Sequence, residues 1–511
     1  MHTLQFERGF TPCSHGPKCL GAYFRFVPFL VKSSLNVSLS STSPTSGTSI
    51  LTFGLQIVVV IPPRREVGAP RSELKKKHHP TDLLRGATTA SDASMLRSAP
   101  TAPPARPASR RVSPPGRRTN VRAPTRAASA HTHASADMGS TTRSVWEVQK
   151  TGSLSGMVRV DDAPIDPPGP GEVRVKVRAI GLNFADVFSV LGLYGATPDC
   201  PFVPGLECCG VVEAIGPPDE NLPEGTVVPP VAVGDSVMVV TRFGAYASAV
   251  NAPLHQCRPL PTGWTHEQGA AFLVQGLTAF YALKKLGDVR RGHTVLVHSA
   301  AGGCGLFGLG ICNALGAVPI ATVGSPTKVS AILERFPDMD PETIIVRERK
   351  RFGDQVEAAA TAAGSTDGTC DVVMDAVMGD FFKGGWSHLA RGGRYVVYGA
   401  ADLTPAGDLG WNVFGWLKLG WKYVNRPMVD PTNLPGDNKS VMGFNLIWMF
   451  DKIVELGELL GGLTSLGLPA PKVGEVFTFD KLPSAIRVFQ SGGTSGKVVV
   501  TLDAEDDYLS A

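Results

Sequence analysis

Gly303, Gly305 and Gly308 carry the spacing G-x-G-x-x-G within the stretch "AAGGCGLFG", where Gly302 precedes them. Glycines so placed serve one kind of chemistry: Gly303 and Gly305 let the backbone turn sharply and approach a pyrophosphate, and Gly308 lets a helix lie close to a sheet. The spacing alone is weak, because glycine-rich loops produce it by chance, and an ordinary packed glycine turn is the alternative. About twenty positions on, the chain reads Gly324-Ser325-Pro326-Thr327-Lys328. A protein that binds NAD usually places a carboxylate there for the ribose 2′-hydroxyl. A hydroxyl, Ser325, and a cation, Lys328, instead favour a 2′-phosphate and hence NADPH. Ser325 as a helix N-cap and Lys328 on a solvated face is a physically sound alternative, and both readings hold together.

These residues need a strand, a tight turn and a helix to position them. "HTVLVHS" (293–299) is β-branched and short, fitting a buried parallel strand, and "LFGLGICNALG" fits a buried helix. "AVPIATV" (317–323) reads as the following strand, with later ones at 371–377, 394–400 and 439–445. Upstream, short strands punctuated by Pro and Gly run from about residue 144, including "GEVRVKVRAIG", 208–216, 234–240 and 244–253. The period becomes helical over 265–287, and a helix over 444–460 precedes a last strand at 496–503. The expected fold class is α/β: a β-rich domain with a doubly wound parallel sheet.

Charge divides the chain. Residues 1–143 hold 20 Lys and Arg against 6 Asp and Glu, and residues 144–511 hold 29 against 39, so the overall +4 hides a basic extension on an acidic body. An acidic body argues against a nucleic-acid partner. Residues 95–136 contain eight Arg and no acid among many Ser, Ala and Pro. Such a segment cannot bury a core and has the composition of an organellar transit peptide, most similar to a plastid type, with a disordered basic linker as the alternative. Met95 is a sensible start, and residues 1–94 read as poorly defined upstream sequence. The apolar run 50–61 is too short to span a bilayer as a helix. Nine scattered cysteines without a C-x-x-C pair fit buried thiols in a reducing compartment, and a cytoplasmic location is the alternative to a chloroplast.

Several ordered motifs carry a family resemblance: "GLNFADV", "GLYG", "PFVPGLECCGVVEAIG", "GDSVMV", "LTAFYAL", "VLVHSAAGGCG" and "NKSVMGFNL". Over residues 145–503 the chain resembles the medium-chain dehydrogenase/reductases, in their quinone oxidoreductase class and nearest to the vesicle amine transport protein-like branch. The resemblance implies a GroES-like β domain split in sequence (144–271 with 446–505) around a Rossmann domain (272–445), and a homodimer. Where zinc-dependent relatives place a cysteine this chain has Asn183, and where they place Gly-His-Glu it has Gly205-Leu206-Glu207. The implied chemistry needs no metal: hydride passes from NADPH to a quinone or to the β-carbon of an α,β-unsaturated carbonyl.

By position, the resemblance makes Asn183 and Tyr194 candidates to hydrogen-bond the acceptor carbonyl, with Tyr194 also a candidate proton relay. Their alternatives are a turn asparagine and a core tyrosine. It places Thr278, Gly399, Gly443 and Phe444 beside the cofactor, alongside Gly302, Gly303, Gly305, Ser325 and Lys328. Thr278 as a helix cap and Phe444 as core remain open. The aromatic stretch 411–427 reads as a buried stripe, with a lid, a dimer face or peripheral membrane contact as alternatives. A dinucleotide-binding scaffold or vesicle-associated protein with little turnover is the second functional reading.

Overall fold

The computed structural model describes residues 142–403 and 413–502. The basic segment 95–136, the apolar run 50–61 and their readings lie outside the described residues.

β1 (Thr142–Val148) and β2 (Met157–Pro164) form an antiparallel pair. β3 (Glu172–Gly181) follows, with Val173, Val175, Val177 and Ala179 buried at alternate positions, and α1 (Phe184–Val190) begins shortly beyond its end. β4 (Glu207–Ile215), β5 (Ser236–Val240), β6 (Ala249–Pro253) and β7 (Cys257–Pro259) complete the first run of strands. α2 (His266–Ala270) starts at Thr265, whose hydroxyl accepts the Gln268 N–H while the Gln268 side chain returns to Thr265 N, a reciprocal cap. α3 (Leu273–Phe280) continues as a π-helical turn over Tyr281–Leu286.

Next come β8 (Thr294–Val297), α4 (Gly303–Leu315), β9 (Val318–Val323), α5 (Val329–Arg335), β10 (Ile344–Val346), α6 (Phe352–Ala362), β11 (Cys370–Asp375), α7 (Phe382–Ser387) and β12 (Leu389–Val397). α8 (Val413–Val424), α9 (Leu434–Asp437), β13 (Ser440–Gly443), α10 (Ile453–Ser465), β14 (Val473–Thr478), α11 (Leu482–Gln490) and β15 (Lys497–Thr501) follow.

β8 to β13 make a six-stranded, wholly parallel sheet in the order β10-β9-β8-β11-β12-β13. In order of appearance this is 3-2-1-4-5-6, the doubly wound arrangement whose ligand crevice opens beyond the carboxyl ends of the central strands, here β8 and β11. The second sheet runs β14-β15-β3-β4-β5-β7 with β6 on β3, so the last strands return to the first domain. The molecule thus has the expected α/β class: a β-rich domain split in sequence and a doubly wound parallel-sheet domain.

Two local readings change. The helix expected over 444–460 is two pieces, a 3-10 segment Leu446–Asp451 and then α10, because Lys452 leaves helical geometry with ψ 69°. α10 contributes Leu456, Leu459, Leu460 and Leu463 to a core that includes α3 and α4 as well as Met238 and Val240 of β5. The stripe on α8 is exposed rather than buried: Phe414 is 84% exposed and Trp421 71%.

Candidate functional site

β8 runs into the glycine turn through Ser299, which takes a left-handed φ of 52°. A Cβ on Gly305 would lie 2.3 Å from the Ser299 carbonyl oxygen, and one on Gly308 would lie 3.1 Å from Val297 Cγ1, so both positions need the missing side chain for close packing. Gly303 makes room for buried Gln275, whose Oε1 lies 1.8 Å from where a Cβ would be. Gly302 is different. A Cβ there would press on the Ser299 carbonyl oxygen at 3.2 Å and meet no other atom within 4 Å, so the glycine leaves a small cradle at the α4 N-terminus. The first N–H groups of a helix lack intrahelical partners, and the residues present fit the pyrophosphate of a dinucleotide.

At the end of β9, Ser325 Oγ accepts the Thr327 N–H at 3.3 Å and lies 2.8 Å from Thr327 Oγ1, capping the 3-10 turn Pro326–Lys328. Lys328 Nζ donates to the carbonyls of Gly492 (2.7 Å) and Thr494 (3.2 Å) in the loop between α11 and β15. The same loop reaches the glycine turn, where Gly496 N donates to Ala301 O at 3.2 Å. A second cation was not read from the sequence. Arg347, the first residue after β10, places its guanidinium 5.0 Å from the Phe381 ring centre and donates to Thr322 Oγ1 at 3.2 Å. Its Nη2 lies 3.3 Å from where a Gly324 Cβ would be, and its Nε is buried with no partner among the described residues. Burial, then the charge of Arg347, lowers the pKa of Lys328. No local sequence signal marks Arg347: only the pairing of Val346 with Val323 sets it level with Gly324.

Asn183 is drawn inward. Its Nδ2 donates to Glu207 Oε1 (3.0 Å) and Gly181 O (3.2 Å), and its Oδ1 accepts from Lys497 Nζ at 2.8 Å. Lys497 and Glu207, each 1% exposed, pair at 2.5 Å, and Glu207 Oε2 accepts the Val274 N–H. Both amide hydrogens of Asn183 are therefore taken, and Leu206 is buried beside this network. Below it, Asp186 Oδ2 accepts from Asn183 N (2.8 Å) and Tyr246 Oη (2.9 Å), while Oδ1 is buried without a partner among the described residues. Burial outweighs these hydrogen bonds and pushes the Asp186 carboxyl up to about 7. Among the described residues no three His, Cys, Asp or Glu are grouped to hold a metal.

Tyr194, after α1, reaches across to the Rossmann domain, where its hydroxyl meets Asn445 Oδ1 at 2.8 Å. Burial pushes this phenol up to about 12. Phe444 stands beside them, edge-on to Tyr281 (4.9 Å) and stacked with Tyr398 (6.2 Å), an aromatic cluster just beyond the carboxyl ends of β12 and β13. Thr278 lies within α3 and donates to Val274 O at 2.7 Å, so it caps nothing. Gly399 allows close approach to Ala376, whose carbonyl oxygen would be 3.1 Å from an added Cβ, and Gly443 is exposed at the end of β13. The structure therefore brings Tyr194, Phe444 and Asn445 together at one place and Ser325, Lys328 and Arg347 at another; Asn183 belongs to the sealed network instead.

Two family models match the chain: the alcohol dehydrogenase GroES-like domain over residues 169–276, and the zinc-binding dehydrogenase domain over 351–500. The synaptic vesicle membrane protein VAT-1 homolog of Rattus norvegicus is 32% identical over 358 residues, covering 68% of this chain and 82% of that protein. Among solved structures, the quinone oxidoreductase from Thermus thermophilus, described with its NADPH complex, is 30% identical with a TM-score of 0.53. The match covers 70% of this chain and 100% of that one. A mycobacterial protein complexed with NADPH is 28% identical with a TM-score of 0.57, covering 70% and 100%.

Proposed function

Because the chain belongs to the medium-chain dehydrogenase/reductase family of oxidoreductases, we propose that it is an NADPH-dependent reductase of quinones or α,β-unsaturated carbonyl compounds. One observation carries the choice of cofactor: Lys328 ends the turn after β9, Arg347 stands beside Gly324, and the stretch 324–328 holds no carboxylate. Two cations stabilise a 2′-phosphate and gain nothing from a bare 2′-hydroxyl. The α4 N-terminus at Gly302 holds the pyrophosphate, and Phe444, Tyr281 and Tyr398 keep water from the reacting end.

When bound, the cofactor supplies hydride from its nicotinamide ring. On an enone the β-carbon takes that hydride and its electron pair, the π electrons move onto the carbonyl oxygen, and water returns a proton to the α-carbon. NADPH is oxidised to NADP⁺ and the carbon–carbon double bond is reduced. This chain's residues orient the acceptor and stabilise the charge that grows on oxygen.

The test is loss of NADPH absorbance with a panel of quinones and enones. Lys328→Glu is expected to weaken NADPH binding by about 100-fold or more, since losing a charge-assisted hydrogen bond costs about 1.5–3 kcal/mol and reversal adds repulsion. NADH binding changes little. Equal loss of both dinucleotides overturns the assignment.

A second reading, a dinucleotide-binding or vesicle-associated protein with little turnover, is favoured by the exposed stripe of Phe414, Leu417, Trp421, Val424 and Met428 on and after α8. Binding of NADPH without turnover on any acceptor, together with sedimentation on vesicles, supports it. We also propose a homodimer, for which the outer edge of β13 at the end of the parallel sheet is available, and a plastid destination on the composition of residues 95–136. Sedimentation analysis and N-terminal sequencing of the mature protein test these.

A further inference from the structure

The pairing of Tyr194 with Asn445 determines which of them has hydrogen left to give. Ile447 N lies 3.4 Å from Asn445 Oδ1, and a backbone N–H can only donate, so the amide atom facing it is the oxygen. Turning the amide over would set N–H against N–H. That same oxygen receives Tyr194 Oη at 2.8 Å. The phenolic hydrogen therefore points at Asn445 and is spent. Asn445 Nδ2 has the opposite standing: it makes no hydrogen bond among the described residues, and it is not one of their sealed, unpartnered polar atoms. Two N–H groups are left on a side chain clamped at its oxygen by the distant Tyr194 and by the local backbone of Ile447, next to the aromatic cluster of Phe444, Tyr281 and Tyr398.

We propose that Asn445, through Nδ2, is the catalytic residue that hydrogen-bonds the carbonyl oxygen of the acceptor as enolate charge develops, and that Tyr194 is a positioning residue that holds the amide in place. The proposal rests on the reductase reading. It replaces the role expected of Asn183, whose amide is saturated, and of the Tyr194 hydroxyl. A donor fixed in advance, at the rim of a partly buried site, gives transition-state stabilisation without reorganising.

The experiment compares Asn445→Asp, Asn445→Ala and Tyr194→Phe in the full chain. Asn445→Asp keeps an oxygen for Tyr194 and Ile447 and removes the two N–H donors. Losing one such donor typically costs about 10²–10³ in kcat, so Asn445→Asp and Asn445→Ala are both expected to fall by about 100-fold with NADPH affinity unchanged. Tyr194→Phe is expected to fall by about 10-fold or less and to keep the shape of the pH–rate profile. The proposal is overturned if Asn445→Asp retains turnover, or if Tyr194→Phe loses the alkaline limb, which would make the phenol the proton donor.

A binding arm separates this proposal from the reading beneath it. A substituted phenolate, a stable mimic of the enolate oxygen, is titrated in the presence of NADP⁺. Tenfold weaker binding to Asn445→Ala, which removes the donors without adding a charge to repel the probe, than to Tyr194→Phe supports the proposal even where no acceptor is reduced. Equal binding overturns it while leaving the reductase reading standing, and a wild-type protein that neither reduces an acceptor nor binds the phenolate overturns both.

Discussion

Two asparagines in this molecule stand at polar clusters of opposite kind. Asn183 sits in a sealed network with Glu207 and Lys497, where each hydrogen of its amide has a protein acceptor and its oxygen has a lysine donor. Asn445 is clamped at its oxygen alone and keeps its nitrogen for something else. The difference shows that residue type does not separate a structural amide from a functional one; the count of satisfied donors does. A buried ammonium and carboxylate are costly to desolvate, so such a pair persists only with good geometry and further hydrogen bonds, which Asn183 and Val274 provide.

The contrast breaks most readily at the sealed end. Lys497→Met leaves Glu207 buried and unpaired and is expected to cost about 3–5 kcal/mol of stability in denaturant unfolding. Adding Glu207→Gln removes the orphaned charge and is expected to recover part of that loss; no recovery would mean that packing, not charge, dominates.

Asp186 gives the next effect. Its native carboxyl keeps its proton up to about pH 7, whereas in the unfolded chain it ionises near pH 4. Between those values the native state binds more protons, so this group's contribution makes stability fall as pH rises through the window and level off above it. Asp186→Asn is expected to flatten that slope, read from melting temperatures across the pH range.

At the open end the effects on stability are smaller. Asn445→Asp is expected to change unfolding free energy by less than about 1 kcal/mol despite its loss of turnover, because it keeps both clamping hydrogen bonds. Trp421→Asp, on the exposed face of α8, is expected to lie within about 0.5 kcal/mol of wild type by thermal melting. A larger loss would show that the stripe is covered in solution.

The local structure of the candidate cofactor end was legible in the chain. The β-branched run before Gly302, the glycine spacing and the pair Ser325 and Lys328 are local features, and they fall on β8, the turn into α4 and the 3-10 turn after β9. Arg347 was not legible, because nothing in "IIVRERK" distinguishes a cation turned toward Gly324 from the solvated ones that follow it. The stripe on α8 misled for a related reason: its period marks one apolar face and does not say whether anything covers it.

The sequence by itself determined the strand-and-helix order, the glycines where a Cβ would collide, and the want of a carboxylate beyond β9. Only the tertiary structure decided that Lys497, 314 positions from Asn183, would saturate that amide, and that Tyr194 and Asn445, 251 positions apart, would spend one hydrogen on each other. Backbone propensity and side-chain volume act over a few residues, whereas a hydrogen bond's donor and acceptor are assigned only once the chain has folded and excluded water from between them.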